Sequence, residues 1–442
     1  MNAPIDPSQW FEKNETKYVE LIVPDMAGIP RGKAQPVADY AKKFKLPWSI
    51  FGQTITGDYY LKDNVEDKDM EIRPDWSTLR PVPWAAEPTA CVLTDCYELD
   101  GEPMTRSPRE VLQRVLKLYA AKGWFPIVAP EVEFYLIKDT EAGDSDADVY
   151  DPESDSPQEG LIDPYGFDYV HDLGDFFQQL SQFCEQQDIA VGAVSQELGP
   201  SQFEVNFDHG EPMKLADDLF HFKRTLKRVA YANNLHATFI AKPDPEFPGS
   251  ALHVHQSVYD ADGNNVFSKP DGEPSELFSY FLGGMQTYMK GALLMFAPYA
   301  NSYRRFLNHW SSPINLEWGV DNRTAGLRVP ESDPSARRVE NRIAGSDVNP
   351  YLALAATLAC GYLGMVNRIA ARPEIEGSAY KVPFALLRHQ YEAIDALRAN
   401  DELREVFSED FVNCYTAVKE LEYREFQGRV PEWEREELMH TL

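Results

Sequence analysis

Apolar and polar positions change period along the chain, and the changes mark its elements. The stretch "KYVELIVPDMAGIPRGKAQPV" alternates with a period of two and then turns, which predicts strands near the N-terminus. "RPVPWAAEPTACVLTDCYELDGEPM" reads as strand and turn, with prolines as punctuation. "SPREVLQRVLKLYAAKG", Ser107 to Gly123, has a helical period. Ser107 is placed to cap it, Pro108 suits its first turn, Glu110 completes a capping-box pattern and Gly123 stops it. A boundary just before this helix divides the chain into residues 1–105 and 106–442. Further helices are expected at 172–188, 211–234, 275–297, 348–371 and 384–422, with no internal repeat.

One strand departs from a simple apolar pattern. "VAPEVEFYL", Val128 to Leu136, carries Glu131 and Glu133. Alternation points both carboxylates to the same face, where like charges repel and burial costs several kcal/mol each. A cation between them resolves the conflict.

Composition narrows the choices. The chain has 442 residues, a net charge of −29 and 43% hydrophobic residues, so a sizeable core is expected and neither nucleic acid nor an anionic membrane is an expected partner. The acid-rich stretch Asp139–Glu159 has no Lys or Arg and lacks the ligand spacing of an EF-hand; it reads as an exposed loop. Five scattered cysteines without zinc spacing, no signal-peptide pattern and no run of about 18 apolar residues predict a cytoplasmic protein with reduced thiols.

Other ligand-type residues join the paired acids. "SQELGPSQFEVNF" sets Glu197 and Glu204 on either side of a Gly-Pro turn. "GSALHVHQS" gives His253 and His255 at strand spacing, and "SARRVENR" places Glu340 among arginines. Each alone reads as an ordinary surface acid, sheet histidine or salt-bridge ladder. Together they make an oxygen-rich ligand set suited to Mg²⁺ or Mn²⁺. Arg304, Arg305, Arg323, Arg328, Arg337, Arg338 and Arg342 follow closely, and metal plus arginines is the chemistry of phosphoryl transfer. Neither a P-loop nor a kinase glycine-rich loop is present.

In order, "PEVEF", "QELGPSQFE", "GSALHVHQS", "NSYRRF", "NRTAGLRVP", "ARRVENR" and "NPYLALAATLACG" resemble the glutamine synthetase family, in its bacterial type I branch, over essentially the whole chain. The resemblance implies an α+β fold, with a small N-terminal β-grasp-like domain and a large catalytic domain of antiparallel strands packed with helices. It also implies hexameric rings, single or stacked, with sites between neighbours. By motif, Glu131, His253 and Glu340 match ligands of one divalent metal; Glu133, Glu197 and Glu204 match ligands of a second, with two or three ions per site. Phe207, His255, Ser257, Arg328 and Arg338 match nucleotide contacts, and Gly249, Arg305 and Arg342 match contacts to the amino-acid substrate. Arg323 matches the arginine that stabilises the transferring phosphoryl group, with Arg342 beside it. The implied reaction joins the glutamate γ-carboxylate to an amine through a γ-glutamyl phosphate, at the expense of ATP.

The chain departs from the family where ammonium is handled. The family's Phe-Asp-Gly-Ser-Ser motif reads here Phe51-Gly52-Gln53, with Asp58 out of register. Ser311 stands in place of the flap glutamate, beside Trp310, with Glu317 and Trp318 further along. Pro248 replaces an asparagine that contacts glutamate. Such losses resemble γ-glutamyl–amine ligases, and they predict an organic amine held by Trp310, Ser311 and Trp318. Ammonium-dependent glutamine synthesis is the alternative, and a non-catalytic relative the third. Tyr380 lies near the position that some members adenylylate, in a shorter segment; it reads as structural.

Overall fold

Two sheets organise the computed structural model, which describes residues 5–60, 67–138, 163–307, 311–439 and 441–442. The acidic stretch Asp139–Glu159 and Trp310 lie outside the described residues. The strands are β1 (Tyr18–Pro24), β2 (Pro30–Pro36), β3 (Phe44–Pro47), β4 (Asp69–Pro74), β5 (Arg80–Pro81), β6 (Thr89–Tyr97), β7 (Phe125–Lys138), β8 (Val191–Gln196), β9 (Gln202–Phe207), β10 (Leu235–Thr238), β11 (Leu252–Tyr259), β12 (Trp318–Val320), β13 (Leu327–Val329) and β14 (Val339–Asn341). The helices are α1 (Pro7–Lys13), α2 (Pro108–Ala120), α3 (Asp168–Asp172), α4 (Gly174–Gln186), α5 (Pro212–Ala232), α6 (Glu276–Tyr288), α7 (Leu293–Phe296), α8 (Pro350–Asn367), α9 (Gln390–Arg398), α10 (Asp401–Phe407), α11 (Glu409–Gln427) and α12 (Glu432–Met439).

The first sheet has six strands in the order β2-β1-β6-β4-β3, with β5 also on β6. The second has eight, in the order β12-β13-β14-β11-β7-β9-β8, with β10 also on β7. Its pairs are antiparallel except β12–β13. On β7 and β9, Val132, Phe134, Phe203 and Val205 are fully buried, and α5 packs against β7. The odd-numbered acids of β7 are left to the opposite face.

Several expected helices shift for local reasons. Ser107 occupies the N-cap of α2, but its side chain makes no capping bond, so the expected capping box is not formed. Its hydroxyl is buried against Cys96, and Glu110 faces Lys117 instead. The expected 275–297 helix divides into α6 and α7 around Gly291, where an added Cβ would lie 3.0 Å from Asn400. The 384–422 pattern divides into α9, α10 and α11: Asn400 caps α10 through Leu403 N–H, and Ser408 takes a positive φ of 88° before α11.

Helix α8 lies inside the protein. Asn349 caps it, accepting from Tyr351 N–H at 2.9 Å while its own amide reaches the Asp25 carbonyl at 2.8 Å. Among the described residues it is the one helix long and apolar enough to cross a bilayer, yet 89% of its residues are buried in the protein. All five cysteines are buried and free.

Candidate active site

The antiparallel register builds the site. Glu131 on β7 faces His253 on β11, and Glu133 faces Glu204 on β9. His255 faces Glu340 on β14, and Glu340 faces Arg328 on β13. Directly opposed residues share a face with Cβ atoms about 5 Å apart, so side chains distant in sequence become one row. Glu197 comes from the turn after β8, which is closed by its own N–H on the Gln202 carbonyl at 2.8 Å.

Two cavities meet at Glu131. One, of about 370 Å³, is lined by Phe207, His255, Ser257 and Arg338, together with Asp208, His209 and Tyr259. The other, of about 430 Å³, is lined by Glu133, Glu197, Glu204, His253, Gly249, Arg305, Ser311, Arg323 and Arg342. The residues expected to contact nucleotide thus gather on one side, except Arg328, which lines the second cavity and pairs with Glu340 at 2.8 Å and Asp321 at 2.9 Å. The residues expected to hold amino acid and phosphoryl group gather on the other side.

Charge is unevenly compensated along the row. Burial alone would push the Glu131 carboxyl up, but hydrogen bonds and charge from His253 and His255 outweigh it and hold it well below the usual range. Glu340 is buried too, yet Arg342 beside it brings it down to about 2. Glu133 goes the other way. Burial, then Glu197 and Glu204, raise it well above the ordinary value, although Ala251 N–H donates to it at 2.7 Å. Burial and the neighbouring Glu131 and Glu197 push Glu204 up to about 8, and Glu197 is raised mainly by burial. Burial brings His253 down to about 4, so its ring is neutral at physiological pH. Arg338 Nε approaches His255 Nδ1 at 3.4 Å, which leaves Nε2–H to donate to Glu131 at 2.9 Å.

Buried carboxylates short of positive charge, next to the neutral His253 imidazole, fit divalent cations. Two triads have ligand atoms all within 4.8 Å of one another: Glu131–His255–Glu340 and Glu131–Glu204–His253. This grouping differs from the one expected by motif. His253 Nδ1 lies 3.4 Å from Glu131 and 3.8 Å from Glu340, and His255 enters the cluster as a ligand-type group. Glu133 and Glu197 stand outside both triads.

Arg305 is fixed by donating to the carbonyls of Ile343 at 2.7 Å and Arg342 at 3.0 Å. Gly249 packs against it so closely that a Cβ there would lie 2.7 Å from Arg305 Cγ. Gln202 ties the same corner together, donating to Glu133 and to the Gly249 carbonyl at 3.2 Å each, while Tyr135 OH donates to the Pro248 carbonyl at 2.7 Å.

On the side expected to take the amine, one residue is displaced. Trp318 does not line the cavity: its indole N–H donates to the Arg372 carbonyl at 2.7 Å, and its ring meets Phe278 edge-on. Glu317 is likewise turned away, paired with Arg372 at 3.0 Å. Pro164, Tyr165 and Leu198 line the same cavity with apolar surface, and Ser311 and Ser312 line it too. Tyr165 is 64% exposed and has a positive φ of 66°. Gln202 was legible, two residues from Glu204 on the same strand face. Tyr165 was not, because it follows an acid-rich stretch without a period.

Comparison with known proteins bears on this geometry. Residues 105–438 match the model of the glutamine synthetase catalytic domain. Glutamate–isopropylamine ligase of a Pseudomonas species is 33% identical over 96% of this chain and 95% of its own length. Gamma-glutamylputrescine synthetase of Escherichia coli is 33% identical over 95% and 91%. Glutamine synthetase of Methanosarcina mazei is 28% identical over 99% and 98%. A solved structure described as "Apo GmaS without ligand" superposes with a TM-score of 0.86 at 26% identity, covering 98% of this chain and 99% of that one. With the family's fold and catalytic domain present over these spans, the chain belongs to the glutamine synthetase family and is an ATP-dependent carboxylate–amine ligase.

Proposed function

We propose that this ligase joins the γ-carboxylate of glutamate to a primary organic amine in preference to ammonium. The observation that carries the reading is the amine side of the second cavity. Among the described residues lining that cavity, every carboxylate belongs to the Glu131, Glu133, Glu197 and Glu204 row. Ser311, which carries no charge, stands where the family's flap has a glutamate. Ammonium is small and strongly hydrated, and it needs fixed anions when it leaves water. An organic amine recovers binding energy from its carbon skeleton. Burying about 100 Å² against Tyr165, Pro164 and Leu198 gives roughly 2.5 kcal/mol, nearly a hundredfold. Two relatives named for isopropylamine and putrescine support the same reading.

In this reading Glu131, Glu204, His253, Glu340 and the nearby Glu133, Glu197 and His255 hold Mg²⁺ or Mn²⁺. When bound, the cations neutralise phosphate charge and polarise the transferring group. Phe207, His255, Ser257 and Arg338 flank the nucleotide. Arg305, already aimed by two backbone carbonyls, holds the substrate carboxylate beside Gly249. Arg323 and Arg342 face the same cavity and offset charge on the phosphoryl group as it moves; removing one such clamp costs about 10²–10³ in rate. Residues 1–105 are read as the β-grasp-like domain of a ring-forming subunit. An active monomer in sedimentation would refute the shared site.

The test is phosphate release with glutamate, MgATP and a panel of primary amines. kcat/KM for the best amine is expected to exceed that for ammonium by at least about tenfold. Tyr165→Ala should narrow the gap by raising KM for the amine while leaving ammonium little changed. Efficient glutamine formation at low ammonium would overturn the reading.

A further inference from the structure

A third cavity, of about 440 Å³, lies away from the catalytic row, between the β1–β2 turn and α5. Its charge is opposite to that of the chain as a whole. Lys223, Arg224, Lys227 and Arg228 all line it, against the single acid Asp347. They fall on one helix face at i, i+1, i+4 and i+5. The chain carries −29, so four cations in one cavity are not a reflection of its average.

These cations are poorly neutralised. Arg224 pairs with Glu20 at 2.7 Å, but its buried Nη1 has no hydrogen-bond partner. Lys223 donates to the backbone carbonyls of Ser346 and Val348, which carry no full charge. Burial and the charge on Lys227 push its pKa down to about 7. Among the described residues, neither Lys227 nor Arg228 forms an ion pair; Lys227 lies over the ring of Phe239 and Arg228 over that of Tyr231. An anion in the cavity relieves this repulsion. The remaining walls are apolar, from Ile29, Ile55, Phe220, Phe239, Ile240 and Pro350. They suit a ligand with a hydrocarbon body and one charged end.

Two paths lead from this cavity to the catalytic one. Asp347 accepts from Ser302 at 2.6 Å, and Ser302 shares the short 3₁₀ helix Asn301–Phe306 with Arg305. Phe239 and Ile240 run directly into Ala241 and Lys242. Lys242 is bonded in both directions to Asn301 at 2.9 Å, and the Ala241 carbonyl accepts from Ser250 N–H at 2.9 Å, next to Gly249. We infer that this cavity binds an organic carboxylate with an apolar body, and that its occupancy acts on glutamate binding through Asp347, Ser302 and Arg305.

Calorimetric titration of the intact protein with phenylacetate tests the site, with the catalytic cavity saturated by glutamate, Mg²⁺ and ADP. Phenylacetamide, the neutral counterpart, is the control. Phenylacetate is expected to bind once per chain and the amide at least about tenfold more weakly. The exposed pair Lys227→Ala/Arg228→Ala should weaken phenylacetate by a similar factor. In the wild type, phenylacetate should also shift KM for glutamate, and in the double variant it should not. Equal binding of acid and amide, an unaffected double variant, or no binding up to about 10 mM would overturn the site. Binding without any change in KM would overturn the coupling. The binding readout does not depend on which amine the enzyme uses, so it fails or succeeds apart from the proposed reaction.

Discussion

At the scale of single residues, the row of acids divides by environment. Glu131 and Glu340 are held low by His253, His255 and Arg342, whereas Glu133, Glu197 and Glu204 are raised. The sign of the pH dependence follows. Glu204 titrates near 8 in the folded chain and at about 4.3 when unfolded. A raised acid contributes stability that is present below its unfolded value and lost as pH rises through its folded one. The low-lying pair works in the opposite direction: its contribution is present above about pH 4 and is lost only as pH falls below that. Between pH 5 and 8.5 the metal-free protein therefore loses what Glu204 contributes. A divalent cation needs the carboxylate ionised, so its binding displaces the proton. Mg²⁺ should raise Tm more at pH 8.5 than at pH 6, and Glu204→Gln should remove much of that difference. Thermal melts with and without Mg²⁺ decide it, since groups whose protonation does not change on cation binding cancel in the comparison, and the Glu204→Gln variant separates its share from that of Glu133 and Glu197. A Tm gain that is the same at both pH values, or larger at pH 6, would refute the ligand role of Glu204. The same-face placement of Glu131 with Glu133, and of His253 with His255, was legible from strand period alone. Which acid meets which imidazole was not. That depends on the register of β7 against β11 and β9, fixed by long-range pairing rather than by local pattern.

At the scale of elements, the sequence located helices better than their breaks. The periodic stretch 384–422 reads as one helix because its apolar spacing runs on through two interruptions. Both carry a local signature: Asn400 precedes Asp401 and Glu402, and Ser408 precedes Glu409 and Asp410. A cap residue followed by first-turn acids marks a helix start, and here it outweighs continuity of period. The capping box at Ser107 fails for the opposite reason. The local signature is present, but burial against Cys96 engages the hydroxyl elsewhere. Trp318 shows the same limit at the site, since only the packing of β12 reveals that its ring turns to Phe278. Ser408 lends itself to a clean test. Its φ of 88° and ψ of 133° are backbone values that favour glycine, and its side chain makes no capping bond. Conformations of this kind cost on the order of 1–3 kcal/mol in a residue with a Cβ, against about 0.5–1 kcal/mol of added chain entropy for glycine. Ser408→Gly should stabilise the protein by about 1 kcal/mol, read as a higher denaturation midpoint. Ser408→Ala, which keeps the Cβ, should show no such gain. Loss of stability in the glycine variant would show that the conformation is not strained.

At the scale of the whole molecule, the two sheets are joined by buried charge as well as by apolar packing. Arg109 on α2 reaches Asp75 at 2.6 Å and Asp95 on the N-terminal side, and Asp217 of α5 at 3.1 Å. Tyr351 OH of α8 also donates to Asp217 at 2.7 Å. Nearby, Arg80 meets Asp218 at 2.6 Å, and Asn349 links the start of α8 to Asp25. Burial pushes Asp217 up, with Arg109 opposing it. Breaking a buried pair by removing one partner costs about 3–5 kcal/mol, because the other charge is left uncompensated. Replacing both partners costs much less. Arg109→Leu should therefore destabilise by a few kcal/mol at pH 7, and adding Asp217→Asn should recover a substantial part. The single variant should also regain ground on the wild type as pH falls toward 5, where an unpaired buried aspartate takes up a proton and no longer needs a partner. Denaturant melts of the wild type, both single variants and the double at two pH values form a complete cycle. Additive losses in that cycle, with no dependence on pH, would mean that the junction is held by apolar contact and that Arg109 is only a passenger within it.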